Sequence, residues 1–231
     1  MKKKPIIGII GKVQPKYGED LWNRIDEIDE FRYYIVKNGG IAITLLPTEK
    51  TLKFNDNDIK DDTILTNEEL EDLYRQIDLC DGFLLQGGLI SCQYEIEIAK
   101  RIIELDKPLI GICAGFNNIL RALDTDVLQD KTNSHNYYDK DYRHKILIEN
   151  DTIIKELIKD EEYFVNSIHE MIAPKNKLEN YVKISSYSEE GLVESFEVPN
   201  KKFIIGIKWH PEIMNDEFVN DLFKLFIEKC N

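Results

Sequence analysis

Through the first half of the chain, short apolar runs alternate with longer stretches in which apolar residues recur every three or four positions. Buried strands joined by crossover helices give this pattern, so it predicts an α/β fold with a mostly parallel central sheet. Strands are expected over residues 5–10, 41–46, 82–86 and 109–112. A helix is expected over residues 19–37, with Ile25, Ile28, Phe31, Ile35 and Val36 near one face and Gly39 and Gly40 stopping it. Thr66 and Glu69 form a capping box for a second helix, whose buried face is Leu70, Leu73, Tyr74 and Ile77. A third helix covers residues 93–105, while the polar stretch 47–66 reads as a surface loop.

Beyond about Val127 the segments shorten, at 144–148, 163–168, 181–187, 192–198 and 203–208. They predict a β-rich section added to the α/β core. A closing amphipathic helix near 217–228 turns Phe218, Leu222, Leu225 and Phe226 inward. No repeat, low-complexity tract or Pro-rich linker divides the chain, so residues 1–231 are expected to form one domain.

With 42% hydrophobic residues in 231, the chain can bury a sizeable core, which excludes disorder as its general state. Thirty Lys+Arg against 43 Asp+Glu give a formal charge of -13, a surface that repels phosphate backbones and anionic lipid. Neither nucleic acid nor a membrane is therefore an expected partner. Cys80, Cys92, Cys113 and Cys230 form no C-x-x-C, so no disulfide framework or zinc knuckle is expected, and a reducing cytoplasm fits. Lys2, Lys3 and Lys4 ahead of Ile6 and Ile7 begin like a signal peptide, but Gly8 breaks the run and Lys12 ends it.

Candidate chemistry begins at Gly111-Ile112-Cys113-Ala114-Gly115, between an apolar strand and a helix containing Ile119, Leu120 and Leu123. This is the glycine–x–nucleophile–x–glycine spacing of a sharp strand-to-helix turn, in which the glycines leave room for neighbouring backbone. A helix N-terminus and a nearby imidazolium can lower a thiol pKa into the reactive range. His210-Pro211-Glu212 follows an apolar strand and offers the base together with a carboxylate to orient it. In extended chain, residues i and i+2 share a face. The N–H groups of Ala114 and of the Gly87-Gly88 pair are candidate oxyanion donors. A buried Cys in a turn, a solvated strand end and an ordinary glycine turn are the plainer readings of these three features taken singly.

Taken together, these residues resemble the class I glutamine amidotransferase-like proteins, in particular the γ-glutamyl hydrolase branch typified by γ-glutamyl-γ-aminobutyrate hydrolase. The Cys113 pentapeptide resembles the family's nucleophile motif, and Gly206-Ile207-Lys208-Trp209-His210-Pro211-Glu212 resembles its G-V-Q-W-H-P-E signature. Between them, Leu128-Gln129-Asp130, Val165-Asn166-Ser167-Ile168-His169 and Glu190-Gly191-Leu192-Val193-Glu194 follow the family order. The resemblance implies a three-layer αβα sandwich of flavodoxin-like type and attack of Cys113 on a γ-glutamyl amide through a thioester. Ala114 stands where the family usually has Arg, and Asn117 where it has Gln. Leu89-Ile90-Ser91-Cys92 replaces a commonly acidic stretch, and Glu170 and Met171 follow His169 where many members carry His and Gln.

His169 fits either the pocket or a structural place, while His135 and His144 read as structural. With no H-x-H or H-x-x-x-H pair, no metal site is expected. Cys92 lies close enough in sequence to face the site, whereas Cys80 and Cys230 read as packing residues. Glu95 reads as a helix-dipole partner, and Tyr137, Tyr138 and Tyr142 as surface residues. The expected activity is cofactor-free hydrolysis of a small γ-glutamyl compound by Cys113, His210 and Glu212. Gly87, Gly88, Ala114, Asn117 and His169 would serve the oxyanion and the substrate. Two alternatives stay open, a glutaminase subunit feeding ammonia to a separate synthase and a non-catalytic binder of a γ-glutamyl metabolite. A homodimer is also left open.

Overall fold

The computed structural model describes residues 3–16, 21–54, 64–125, 127–132, 134–139 and 141–231. In chain order the first elements are β1 (Ile6–Ile10), β2 (Lys12–Val13), β3 (Ile25–Asp26), α1 (Asp29–Lys37), β4 (Ile41–Leu45), α2 (Asn67–Asp78) and β5 (Gly82–Leu85). Then come α3 (Gln93–Leu105), β6 (Leu109–Ile112), α4 (Ala114–Ala122), β7 (Leu128–Gln129), β8 (His144–Ile148) and α5 (Ile153–Ile158). The remainder is β9 (Glu162–Val165), β10 (Met171–Ile172), α6 (Lys175–Leu178), β11 (Lys183–Ser188), β12 (Val193–Glu197), β13 (Ile204–Ile207), a 3-10 turn at Pro211–Ile213 and α7 (Glu217–Lys229).

Nine strands form one sheet in the order β4-β1-β5-β6-β13-β12-β11-β8-β9. The first five are parallel, and their sequence of use is the 2-1-3-4-5 order of flavodoxin-like doubly wound folds. Strands β5, β6 and β13 are buried along their whole length because helices cover both faces, which explains their unbroken apolar runs. On one face Leu73, Ile77, Ile98, Ile102, Phe116 and Ile119 of α2, α3 and α4 pack against Phe83, Leu85 and Leu109. On the other, Phe31 and Ile35 of α1 and Phe223 and Phe226 of α7 cover Ile7, Ile9, Leu84 and Ile110. The expected α/β sandwich of three layers is thus the observed one. Among the described residues no helix is long and apolar enough to cross a membrane.

The β-rich section extends this sheet with four antiparallel strands, β12, β11, β8 and β9. Strand β13 joins the two halves, antiparallel to β12 on one side. It inserts beside β6, parallel to it, with Ile207 opposite Ile112.

The helix expected over 19–37 begins only at Asp29, with 17–20 outside the described residues. Its early apolar positions have other partners. Ile25 pairs with Val13 in the β2–β3 ribbon, and the Ile28 N–H donates to Gln86 Oε1 at 3.0 Å, holding the chain extended until Asp29 and Glu30 open the helix. The Thr66–Glu69 capping box forms as read. Of the polar stretch 47–66, residues 55–63 lie outside the described set.

Candidate active site

Strand β6 ends at Ile112, and Cys113 is the N-cap of α4, with φ 51° and ψ -99°. A residue with a Cβ enters that region only at a cost of roughly 1–3 kcal/mol, so the packing around it must hold it there. That packing requires both glycines. A Cβ on Gly115 would lie 2.1 Å from the Leu85 carbonyl oxygen, and one on Gly111 would lie 2.6 Å from the Gly115 oxygen. The turn is therefore pressed against β5 with no room for side chains, and Cys113 is left at the carboxyl end of the sheet, where doubly wound folds place their ligands.

The β6–β13 register carries past the strand ends, since the Cys113 N–H donates to the Ile207 oxygen at 2.8 Å. Three residues beyond Ile207, His210 comes to the same edge. Asn166, just after β9, grips the His210 backbone at two points: its Nδ2 donates to the His210 oxygen at 2.7 Å and its Oδ1 accepts the His210 N–H at 2.8 Å. His210 Nδ1 meets Glu212 Oε1 at 2.7 Å, and Glu212 is 1% exposed. The pairing expected of H-x-E is present, but it is made in the 3-10 turn that starts at Pro211 rather than in extended chain. With Nδ1–H donated to the carboxylate, Nε2 is the nitrogen free for the thiol.

The Cys113 and His210 side chains both lie against Gly87, close enough to shift each other's protonation, and the thiol donates to the Ile168 carbonyl oxygen at 3.7 Å. Burial works to raise the thiol pKa, but the His210 charge and hydrogen bond, with the Lys208 ammonium behind them, outweigh it and hold the thiol below its ordinary range. Burial works to lower the imidazole pKa, and there Glu212 and the Cys113 sulfur prevail and raise it well above its ordinary value. The two shifts favour a thiolate–imidazolium pair.

Cys113 opens on a cavity of about 520 Å³ whose lining includes Gly88, Ser91, Ala114, Asn117, Arg121, Tyr138, His169 and Glu170. Ala114 is the first residue of α4, so its N–H is one of the donors a helix start leaves without an intrahelical acceptor. Gly88, at φ +153°, lies across from it, and a Cβ there would meet the Lys12 side chain at 2.6 Å. Gly87 makes room for the His210 ring, since a Cβ would lie 2.6 Å from His210 Cε1. Beneath this loop Lys12 Nζ, 1% exposed, bonds Glu95 at 2.8 and 3.0 Å, and Glu95 also accepts the Cys92 N–H at 2.9 Å. Glu95 is thus a buried ion-pair partner, more than a complement to the helix dipole. Cys92 caps α3, fully buried, and is not among the cavity-lining residues.

Behind the cavity-lining Asn117 and His169 are two residues, Lys208 and Glu194, to which the sequence reading gave no role. Lys208, fully buried, donates to Asn117 Oδ1 at 2.7 Å and lies over the Phe116 ring. Burial pushes its ammonium pKa down and that of the neighbouring Glu194 carboxyl up, each drawn back by the opposite charge of the other. His169 Nδ1 donates to the Met171 oxygen at 3.0 Å, its ring stacks on His135 at 5.2 Å, and its Nε2 is 3.8 Å from Glu194. Both roles left open for His169 are thus occupied, since it lines the cavity and is built into the packing. His135, His169 and Glu194 have donor atoms within 4.8 Å of one another, a spacing that a divalent ion would have to draw in. The Lys208 ammonium already supplies the cation beside Glu194, which opposes a second one there.

A strained cysteine at the end of a parallel strand, beside a half-buried histidine and a buried carboxylate that follow the next strand, has the make-up of a thiol-dependent acyl-transfer site on a doubly wound α/β fold. The family match agrees: residues 92–212 match Peptidase C26, and the chain belongs to that family, among the class I glutamine amidotransferase-like proteins. The chain is 30% identical to a subunit of the glutamine-hydrolysing GMP synthase of Picrophilus torridus, over 86% of this chain and 98% of that one. It is 24% identical to the γ-glutamyl-γ-aminobutyrate hydrolase PuuD of Escherichia coli, over 58% of each. A crystal structure described as that of a GMP synthase subunit, from Thermoplasma acidophilum, shares the fold with a TM-score of 0.67 at 16% identity, covering 100% of this chain and 96% of that one.

Proposed function

We propose that this protein is a cofactor-free cysteine hydrolase that cleaves the γ-glutamyl amide or isopeptide bond of a small cytoplasmic molecule. The observation that carries the proposal is the Cys113–His210–Glu212 chain at the mouth of a cavity of about 520 Å³, with the thiol pKa pulled down and the imidazole pKa pushed up. In this reading the Cys113 thiolate attacks the γ-carbonyl carbon. The Ala114 and Gly88 N–H groups hold the developing oxyanion, and Asn117 and His169 line the acyl pocket. As the C–N bond breaks, His210 gives its proton to the leaving amine, leaving a γ-glutamyl thioester on Cys113. Water then attacks the thioester carbonyl and His210 takes a proton from it, so that glutamate departs and the thiolate–imidazolium pair is restored. Glu212 keeps the ring in the productive tautomer throughout.

The test is a panel of γ-glutamyl amides assayed by mass spectrometry, with acid trapping of an acyl adduct on Cys113. Turnover that Cys113→Ala abolishes, together with the adduct, is expected; undiminished turnover in that variant would refute the assignment. The similarity to the Picrophilus torridus GMP synthase component supports a second reading, in which the same thioester chemistry on glutamine supplies ammonia to a separate synthase. Glutamine hydrolysis that rises sharply only when a copurifying partner is added would favour it over free hydrolysis.

A further inference from the structure

Lys208 directly follows β13. Because Ile207 lies opposite Ile112 and the Cys113 N–H donates to the Ile207 oxygen, Lys208 and Cys113 are neighbours across the two strand ends. Side chains alternate along a strand. Ile205 and Ile207 pack with α7 on one face of the sheet and Ile204 packs with Phe116 of α4 on the other, so Lys208 is turned toward α4. There its Nζ donates to Asn117 Oδ1 at 2.7 Å and lies 5.0 Å from the centre of the Phe116 ring. Asn117 is one turn along α4 from Cys113, and its N–H donates to the Cys113 oxygen at 3.3 Å. The ammonium is thus tied to a residue about 6 Å along the helix axis from Cys113, with the whole side chain buried.

Glu194 on β12, Arg121 on α4 and Cys113 are the charged or titratable groups that act on the Lys208 ammonium, and His169 senses it in turn. Cys113 faces His210 and Glu212 besides. Glu194 is fully buried, and its carboxylate oxygens are hydrogen-bonded to no described residue. Burial pushes its carboxyl up to about 8 and the Lys208 ammonium down to about 8, so near neutral pH the lysine keeps its charge while the carboxyl opposes little of it. A buried charge is poorly screened, and a cation nearby favours the charged form of an acid. We propose that Lys208 is a positioning residue for charge, its buried ammonium, tied to Asn117 one turn from Cys113, stabilising the sulfur as a thiolate before substrate arrives. The His210 imidazolium does so too, but its charge leaves when it protonates the departing amine. Lys208 gives up no proton in that cycle, so its charge is still present when the thioester breaks and sulfur departs as thiolate. The bearing on catalysis rests on Cys113 being the nucleophile of the proposed reaction.

Iodoacetamide labelling of Cys113 as a function of pH, read by peptide mapping, reports the thiolate directly. Lys208→Gln places there the residue of the G-V-Q-W-H-P-E signature and keeps a donor for Asn117, whereas Lys208→Met keeps the shape and no donor. In both variants the pH at which labelling reaches half its plateau should rise by about one unit or more, a tenfold smaller thiolate fraction at a given acid pH. Glu194→Gln alone should not raise it. An unchanged midpoint in both Lys208 variants would overturn the proposal. So would a rise confined to Lys208→Met, which would assign the effect to the Asn117 bond, or an equal rise in Glu194→Gln, which would assign it to packing. If Glu194 left without its cation disturbs the fold, seen as labelling of Cys80 and Cys230, the double variant Lys208→Met/Glu194→Gln leaves neither charge of the pair and faces the same expectation and the same refutation. The acid limb of kcat/KM on a γ-glutamyl amide should move with the labelling midpoint. A raised midpoint in a protein that turns over no such amide would keep the inference and remove the hydrolase assignment, and turnover whose acid limb ignores Lys208 would do the reverse.

Discussion

A thiol and an imidazole that shift each other's protonation in opposite directions stay an ion pair across the interval between the two displaced pKa values. Alkylation of Cys113 should therefore persist to lower pH than that of an ordinary thiol, and decline only once pH passes down through the lowered thiol pKa and the thiolate is protonated. Cys80 and Cys230 should behave oppositely, because burial pushes their pKa values up to about 11 and about 12. Iodoacetamide at pH 6.5 with peptide mapping checks this, and labelling spread evenly over the cysteines would contradict it. Cys113, His210 and Glu212 were legible in the sequence because the spacing of each motif reflects a local steric or hydrogen-bonding demand. Lys208 and Asn166 were not. Their parts depend on which strands lie side by side, and nothing within a few residues of each reports that. For Lys208 the one available signal was a lysine closing a fully apolar strand.

The site is assembled by two adjoining parallel strands, and what sets it is the insertion of β13 beside β6. The run over 203–208 was readable as a strand, but its apolar pattern is the same for any neighbour, so its place between β6 and β12 was not. The helix expected over 19–37 failed for a related reason, since periodicity does not show that Ile25 and Ile28 have extended partners. The elbow, by contrast, was legible down to its glycines. Gly115→Ala should force β5 and α4 apart against the Leu85 carbonyl and cost about 1–3 kcal/mol in urea denaturation, with loss of Cys113 reactivity. A variant as stable and as reactive as the parent would show that the close approach is not required.

At the scale of the whole molecule, one sheet supports two kinds of construction, a parallel half whose carboxyl edge carries Cys113 and His210, and an antiparallel half from which Asn166 and His169 reach back toward them. Alternation of helix and strand in the sequence predicted the first half, and the shorter segments predicted a β-rich remainder. That the two share a single sheet was not readable, because strand order is a long-range property. The formal charge of -13 and sequence pI near 4.9 bear on association. Light scattering in low salt should show monodisperse protein at pH 7.5 and growing particles near pH 5, where mutual repulsion vanishes. Equal scattering at both values would show that charge does not govern its solubility. The backbone at Cys113 carries a last implication. Its φ and ψ are the mirror image of an ordinary extended conformation, open without penalty only to an achiral residue. Cys113→Gly should thus unfold at a higher urea concentration than Cys113→Ala, by about 1 kcal/mol, giving an inert chain that is the sturdier of the two. If Cys113 is the nucleophile we propose, a descendant that lost the reaction would be free to drift toward glycine there, whereas one that keeps the cysteine keeps a less durable fold for it.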